Sequence, residues 1–254
     1  MSAEEKLPIT DHLEELRHRL IKSAIAVAVG FGLAFAFKEK LFDILVWPLK
    51  KVMRSGDALI YTNLPEAFFV FLKTALLAGI MLASPVILYQ FWMFVAPGLY
   101  DKERRLLLPI LFLSTIFFVG GALFGYFFVF PVGFEFFLSF ATDVIRPMPS
   151  MKEYLSLAST MLLAFGAVFE LPLALTFLAR LGVVSAKFLS KQRKYAILII
   201  FIAAAILTPG PDIMSQLLMA GPMMLLYELS IIGAKIFGKK KEPEPEIAES
   251  EDPA

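Results

Sequence analysis

Residues 68–95 read FFVFLKTALLAGIMLASPVILYQFWMFV, an apolar run whose single charge is Lys73 and whose one helix-breaking residue is Pro85. As a helix it would be about 42 Å long, more than the roughly 30 Å hydrocarbon core of a bilayer, so it must tilt or kink. Pro85 is the natural kink, because it removes one backbone hydrogen bond. No soluble domain needs a segment of this length without charge. A membrane does.

The remainder of the 254 residues repeats this pattern. Further apolar runs are read at 21–37, 106–130, 154–181, 195–207 and 213–232, giving an all-α membrane protein of about six transmembrane helices. The 154–181 run carries Glu170 and Pro172 in its interior. The 195–207 run is short, about 13 apolar residues or roughly 20 Å of helix, so a buried re-entrant pair is an alternative to two short spans joined at Thr208–Asp212. Hydrophobic residues make up 58% of the chain and charged residues 19%, below the roughly one quarter usual in soluble domains. Domain organisation follows: 1–237 as one six-span unit, 238–254 as a disordered tail rich in Glu and Pro.

Lys and Arg near the span ends set the orientation. Lys6, Arg17, Arg19 and Lys22 lie before or at the start of the first run. Lys102, Arg104 and Arg105 precede the third, five basic residues lie within 180–194, and the tail opens with Lys239, Lys240 and Lys241. Both termini are therefore expected in the cytoplasm, with the chain in a bacterial inner membrane. The loop at 38–66 disagrees, placing five basic residues on the expected outer side. No cleavable signal peptide is expected, since mixed charge from Glu14 to Arg19 precedes the first apolar run.

With no Cys and only two His, His12 and His18, thiolate chemistry, disulfides and a His-rich metal centre are excluded. No phosphate loop or nucleophile motif is present, so neither an enzyme nor a bound cofactor is expected, and nothing points to nucleic acid. Glu15 reads either as an intrahelical partner of Arg19 or as a carboxylate offered to a cationic ligand. Glu103 reads as a loop charge among basic neighbours or as a second such acid. Together the two would suit a pair of guanidinium groups, which bond carboxylates bidentately. Glu170 is the sharpest anomaly, an ionisable group inside an apolar run, where function is the default reading. Thr208 and Gln216 flank the last turn and suit hydrogen bonding to a partner helix. Asp212 suits a turn cap.

Several stretches carry a family pattern: His12–Arg17 (HLEELR), Ser84–Gln90 (SPVILYQ), Ala96–Tyr100 (APGLY) with Glu103–Arg105, Phe165–Pro172 (FGAVFELP), and Leu207–Pro209 with Asp212, Ser215 and Gln216. In this order and spacing, over nearly the whole chain to about Phe237, they resemble the TatC family of the twin-arginine protein translocase. The resemblance implies a cupped-hand, six-span receptor that binds Arg-Arg signal peptides of folded precursors. On that basis Glu15 and Glu103 match the arginine-binding acids. Arg17, Pro48 and Phe94 match positions in or near signal recognition, and Glu170 matches the intramembrane acid. Thr208 and Gln216 match the docking cluster for the single-span partners TatA and TatB, and Asp212 the acid of the last outer turn. Ala205 departs from that cluster, which has Met there. The resemblance also implies a homo-oligomeric receptor complex in lipid, driven by the proton-motive force without ATP. The rival reading is an ion-coupled secondary transporter with Glu170 as its coupling site.

Overall fold

The computed structural model describes residues 9–54, 57–95, 107–142, 146–208 and 212–239. Ten α-helices fill most of this length, with one π-helical turn, and among the described residues no β-strand forms beyond a lone backbone bridge between Ile60 and Ser150. In chain order they are α1 (Ile9–Phe35), α2 (Lys38–Val52), α3 (Glu66–Val95), α4 (Leu107–Phe124) and α5 (Phe130–Leu138). There follow α6 (Met151–Phe169), α7 (Leu171–Arg180), α8 (Ala186–Lys191), α9 (Arg193–Leu207) and α10 (Ile213–Phe237). Among the described residues, five helical stretches are long and apolar enough to cross a membrane: 11–35, 66–95, 108–138, 151–180 and 213–237. α9, with 15 residues, spans only about 22 Å. Large side chains such as Leu20, Ile25, Val29 and Leu33 on α1 stand exposed, as a lipid-facing surface requires.

In lipid, helices gain little from hiding apolar side chains from one another, so close backbone approach at small residues has to hold them. α1 and α3 share the largest helix–helix contact in the molecule. They cross at Gly30 and Gly79, where a methyl group on Gly79 would lie 2.5 Å from the Phe31 nitrogen. α4 meets α6 in the same manner: a methyl on Gly121 would lie 2.4 Å from the Phe165 carbonyl oxygen. The main core gathers around these crossings, with Phe130, Phe165, Leu155, Val46 and Met219 among its fully buried side chains.

Proline inside a helix leaves the carbonyl four residues earlier without its donor, and a bilayer cannot supply one. Two such carbonyls are rescued by hydroxyls. Pro48 strands Ile44, whose carbonyl accepts from Tyr126 Oη at 2.5 Å. Pro85 strands Met81, whose carbonyl accepts from Ser84 Oγ at 2.8 Å. α3 therefore runs as one helix through Pro85. Ahead of Pro131 the backbone instead widens into the π-helical turn Gly125–Val129.

The 154–181 run falls within one membrane-crossing stretch, 151–180, whose helix is broken at Glu170. Pro172 cannot bond to Val168 and its ring crowds that carbonyl, so α6 stops at Phe169 and α7 starts at Leu171, with Glu170 at the junction. The polar hinge at 97–105, the turn residues 209–211 and the tail from 240 onward lie outside the described residues.

At the end of the molecule away from the α1 start, the Glu66 carboxylate ties the 57–65 loop to the head of α6. One oxygen accepts from Thr62 N and Oγ1 at 2.8 and 3.0 Å. The other accepts from Ser150 Oγ and Lys152 N at 2.9 and 3.2 Å.

Candidate functional site

Three polar groupings stand out, and they sit at three different depths. The first lies where the start of α1 meets the end of α3. Arg19 donates through both Nε and Nη2 to Glu15 Oε1, the Nε bond being 3.0 Å long. Its Nη1 reaches Gln90 Oε1 on α3 at 3.5 Å, and Gln90 is buried. One turn earlier His12 stacks on Phe94 with 4.3 Å between ring centroids, and its Nδ1 is 3.9 Å from Glu15 Oε2. The two helices are thereby sewn together at this end by a guanidinium and a ring stack. Arg19 takes only Oε1, leaving Oε2 facing the His12 side of the site. Arg17 is exposed and makes no ion pair among the described residues.

The second grouping is intramembrane. Trp92 Nε1 on α3 donates to Ser114 Oγ on α4 at 2.9 Å, and Ser114 Oγ donates in turn to Glu170 Oε2. Glu170 Oε1 is buried and has no hydrogen-bond partner. About 15 Å of α7 separates Glu170 from that helix's end at Arg180. One chain of bonds thus links α3, α4 and the α6–α7 break.

The third lies at the α9–α10 hairpin. Asp212 caps α10, its Oδ1 accepting from Ser215 N at 2.7 Å. Thr208 is buried, and its hydroxyl donates back to Ala204 O at 2.9 Å. Gln216 Nε2 donates to Phe201 O at 2.9 Å, bracing α10 on α9. Among the described residues no group of three His, Cys, Asp or Glu side chains converges in a way that would hold a metal ion.

Comparison with known proteins decides what this arrangement belongs to. A family model described as Sec-independent protein translocase protein (TatC) matches residues 11–222. The chain belongs to the TatC family. It is 62% identical over 250 residues to the Sec-independent protein translocase protein TatC of Desulforapulum autotrophicum, covering 98% of this chain and 92% of that one. To the protein of the same description from Escherichia coli K12 it is 37% identical over 237 residues, covering 93% and 92%. The crystal structure of the twin-arginine translocase receptor TatC superposes with a TM-score of 0.80 at 42% identity, covering 89% of this chain and 99% of that one. Membership in the TatC family makes this chain a multi-pass membrane component of a Sec-independent protein translocase, a transport protein rather than an enzyme.

Against the residues singled out from sequence, the TatC fold brings Glu15 and Phe94 to one end, joined through His12, with Arg17 on the adjoining turn of α1. Pro48 is not at that end. It is fully buried in α2, beyond the far end of α1. The 20 residues from Glu15 to Phe35 alone span about 30 Å. Its visible work is to free the Ile44 carbonyl that Tyr126 then holds. Glu103 lies outside the described residues. Sequence reasoning missed Ser114 and Trp92 as partners of Glu170. A lone Ser in an apolar helix is commonplace, and only the packing of α3 and α6 on α4 distinguishes this one. Gln90 is a polar residue in the last turns of an apolar run, a signal that could have been weighed.

Proposed function

We propose that this chain is the signal-peptide receptor of its translocase, binding the paired arginines of folded precursors where α1 starts and α3 ends. One observation carries the reading: Glu15 already holds a guanidinium, that of Arg19, through two donors to Oε1, while its Oε2 accepts no hydrogen bond and has only His12 Nδ1 near it, at 3.9 Å. A carboxylate so disposed is chemically suited to arginine, whose planar fork donates two parallel bonds. Glu103, shortly ahead of α4, is assigned the second acid. Arg17 and Phe94 flank the site. His12 on Phe94 gives it a flat apolar wall.

In this reading the receptor end faces the cytoplasm, with both termini on that side of the inner membrane. Thr208 and Gln216 mark the hairpin where single-span TatA and TatB partners dock, with Asp212 capping its outer turn. A homo-oligomeric receptor complex moves cargo with the proton-motive force. Because both Thr208 and Gln216 spend a donor on neighbouring carbonyls, docking would use their remaining acceptor capacity. Glu170, tied to Ser114, is assigned to holding the α6–α7 break rather than to carrying a coupling ion, the role the rival transporter reading gives it.

Photocrosslinking to the receptor from a probe placed in a precursor's signal peptide, beside an Arg-Arg or a Lys-Lys pair, tests the proposal. Crosslinks with Arg-Arg only, lost in the Glu15→Ala/Glu103→Ala pair while membrane insertion stays normal, are expected. Undiminished crosslinking in the double variant refutes it.

A further inference from the structure

At the end opposite Glu15, α3 and α6 diverge and leave a groove of about 810 Å³. α3 contributes Glu66, Phe69, Val70 and Lys73, and α6 contributes Lys152, Leu155, Ser156, Ser159 and Thr160. Both sets follow helical spacing, so each is one continuous face. The groove runs from the Glu66 level down to Lys73, about 10 Å along α3, and to Thr160, about 14 Å along α6. Its lower part therefore lies at the depth of lipid chains.

Its polar lining is unusual for that depth. Thr74, Thr115, Thr208 and Ser230 each donate their hydroxyl to the carbonyl one turn back. Ser156, Ser159 and Thr160 make no such bond, nor any other among the described residues, although they line the groove. Lys73 and Lys152 make no ion pair among the described residues. The one acid present, Glu66, has both oxygens engaged by Thr62, Ser150 and the Lys152 backbone. Two cations and three hydroxyls thus line one groove, none of them paired through its side chain among the described residues. Phe69, Val70 and Leu155 supply an apolar wall beside them, and Leu64 at the mouth is 93% exposed. Lys73, Lys152, Ser156 and Thr160 are exposed in the groove and Ser159 is half-buried, so an occupant with acceptor oxygens could reach all of these donors, which hydrocarbon alone would leave unmatched.

We infer that this groove is a binding site for an anionic phospholipid of the facing leaflet. Its phosphate and glycerol oxygens would lie among Lys73, Lys152, Ser156 and Ser159, with an acyl chain along Phe69 and Leu155. Lys73 reaches up from its depth as lysines near lipid headgroups do. The headgroup is drawn inward, which thins the bilayer locally beside α3 and α6.

The test is native mass spectrometry of the whole protein, loaded from micelles holding equal amounts of phosphatidylglycerol and phosphatidylcholine with identical acyl chains. Wild type is expected to retain phosphatidylglycerol in at least fivefold excess. Lys73→Gln/Lys152→Gln should equalise the two lipids, and Ser156→Ala/Ser159→Ala should reduce the excess. Lys38→Gln/Lys40→Gln, on the same half of the molecule but away from the groove, should leave it intact. Excess inorganic phosphate should not displace the lipid. Equal retention by wild type, an excess unaffected by loss of Lys73 and Lys152, or displacement by phosphate alone would each overturn the assignment.

Discussion

Replacing Gly79 by Ala adds a single methyl group, and the α1–α3 crossing fixes where it goes. The new Cβ would lie 2.5 Å from Phe31 N, 2.8 Å from Phe31 Cα and 3.0 Å from the Gly30 carbonyl carbon. All three atoms are backbone, so no rotamer change relieves the clash. Restoring ordinary contact at 3.4 Å requires the helices to part by 3.4 − 2.5 = 0.9 Å. A gap of that size forfeits a quarter to a half of each dispersion contact across it, here along the largest interface in the molecule. Overpacking of this kind costs about 1–3 kcal/mol. Against it stands the roughly 0.5–1 kcal/mol gained whenever Ala replaces Gly inside a helix. Gly32, half a turn from the crossing on the same helix as Gly30, meets no atom within 4 Å and receives only the gain. The helix gain is common to both variants, so they should differ by the overpacking cost alone, about 1–3 kcal/mol, with Gly79→Ala below wild type and Gly32→Ala level with it or above. At about 2–4 °C per kcal/mol for a chain of this size, that is a Tm gap of about 2–12 °C. Thermal unfolding in detergent, followed by size-exclusion recovery of the folded fraction, reads it directly. A Gly79→Ala protein as stable as wild type, or equal shifts in both variants, would show that backbone contact does not hold α1 to α3.

Two further outcomes follow from the polar groupings. Ser114→Ala strips a partner from both the buried Trp92 Nε1, worth about 1–3 kcal/mol when orphaned, and Oε2 of the half-buried Glu170. It should therefore lower Tm more than Trp92→Phe removes through its hydrogen bond, and a Ser114/Trp92 double-mutant cycle should show coupling of about 1 kcal/mol; additive losses would dissolve the proposed chain of bonds. Arg19→Gln empties the guanidinium seat on Glu15, so a Lys-Lys precursor, unable to displace one fork with another, should crosslink to the receptor from a probe in its signal peptide well above its wild-type background. Unaltered discrimination between Arg-Arg and Lys-Lys would remove Arg19 from the recognition site.

Much of this was legible in the chain. The run at 68–95 announces a membrane helix, and a single helix, α3, occupies those residues. Pro172 beside Glu170 announced a special point, yet the sequence was read as one helix through it. The break needed knowledge of where the freed backbone would be satisfied. Pro85 shows the converse, since a hydroxyl one residue away keeps that helix whole. For Glu15 the sequence left two readings open, a pair with Arg19 or a ligand for arginine. The pairing with Arg19 is present, and it occupies only one of the two oxygens.

Span lengths, apolar faces and the absence of thiol or nucleophile chemistry follow from composition along the chain, because a bilayer sorts segments one at a time by hydrophobicity. What only the tertiary structure decides is which helices touch at bare backbone, which hydroxyl completes which stranded carbonyl, and which donors are left without acceptors. These depend on distances between segments far apart in sequence. Ser114 meets Glu170 across 56 residues and Tyr126 meets Ile44 across 82, and nothing local to either partner encodes the other.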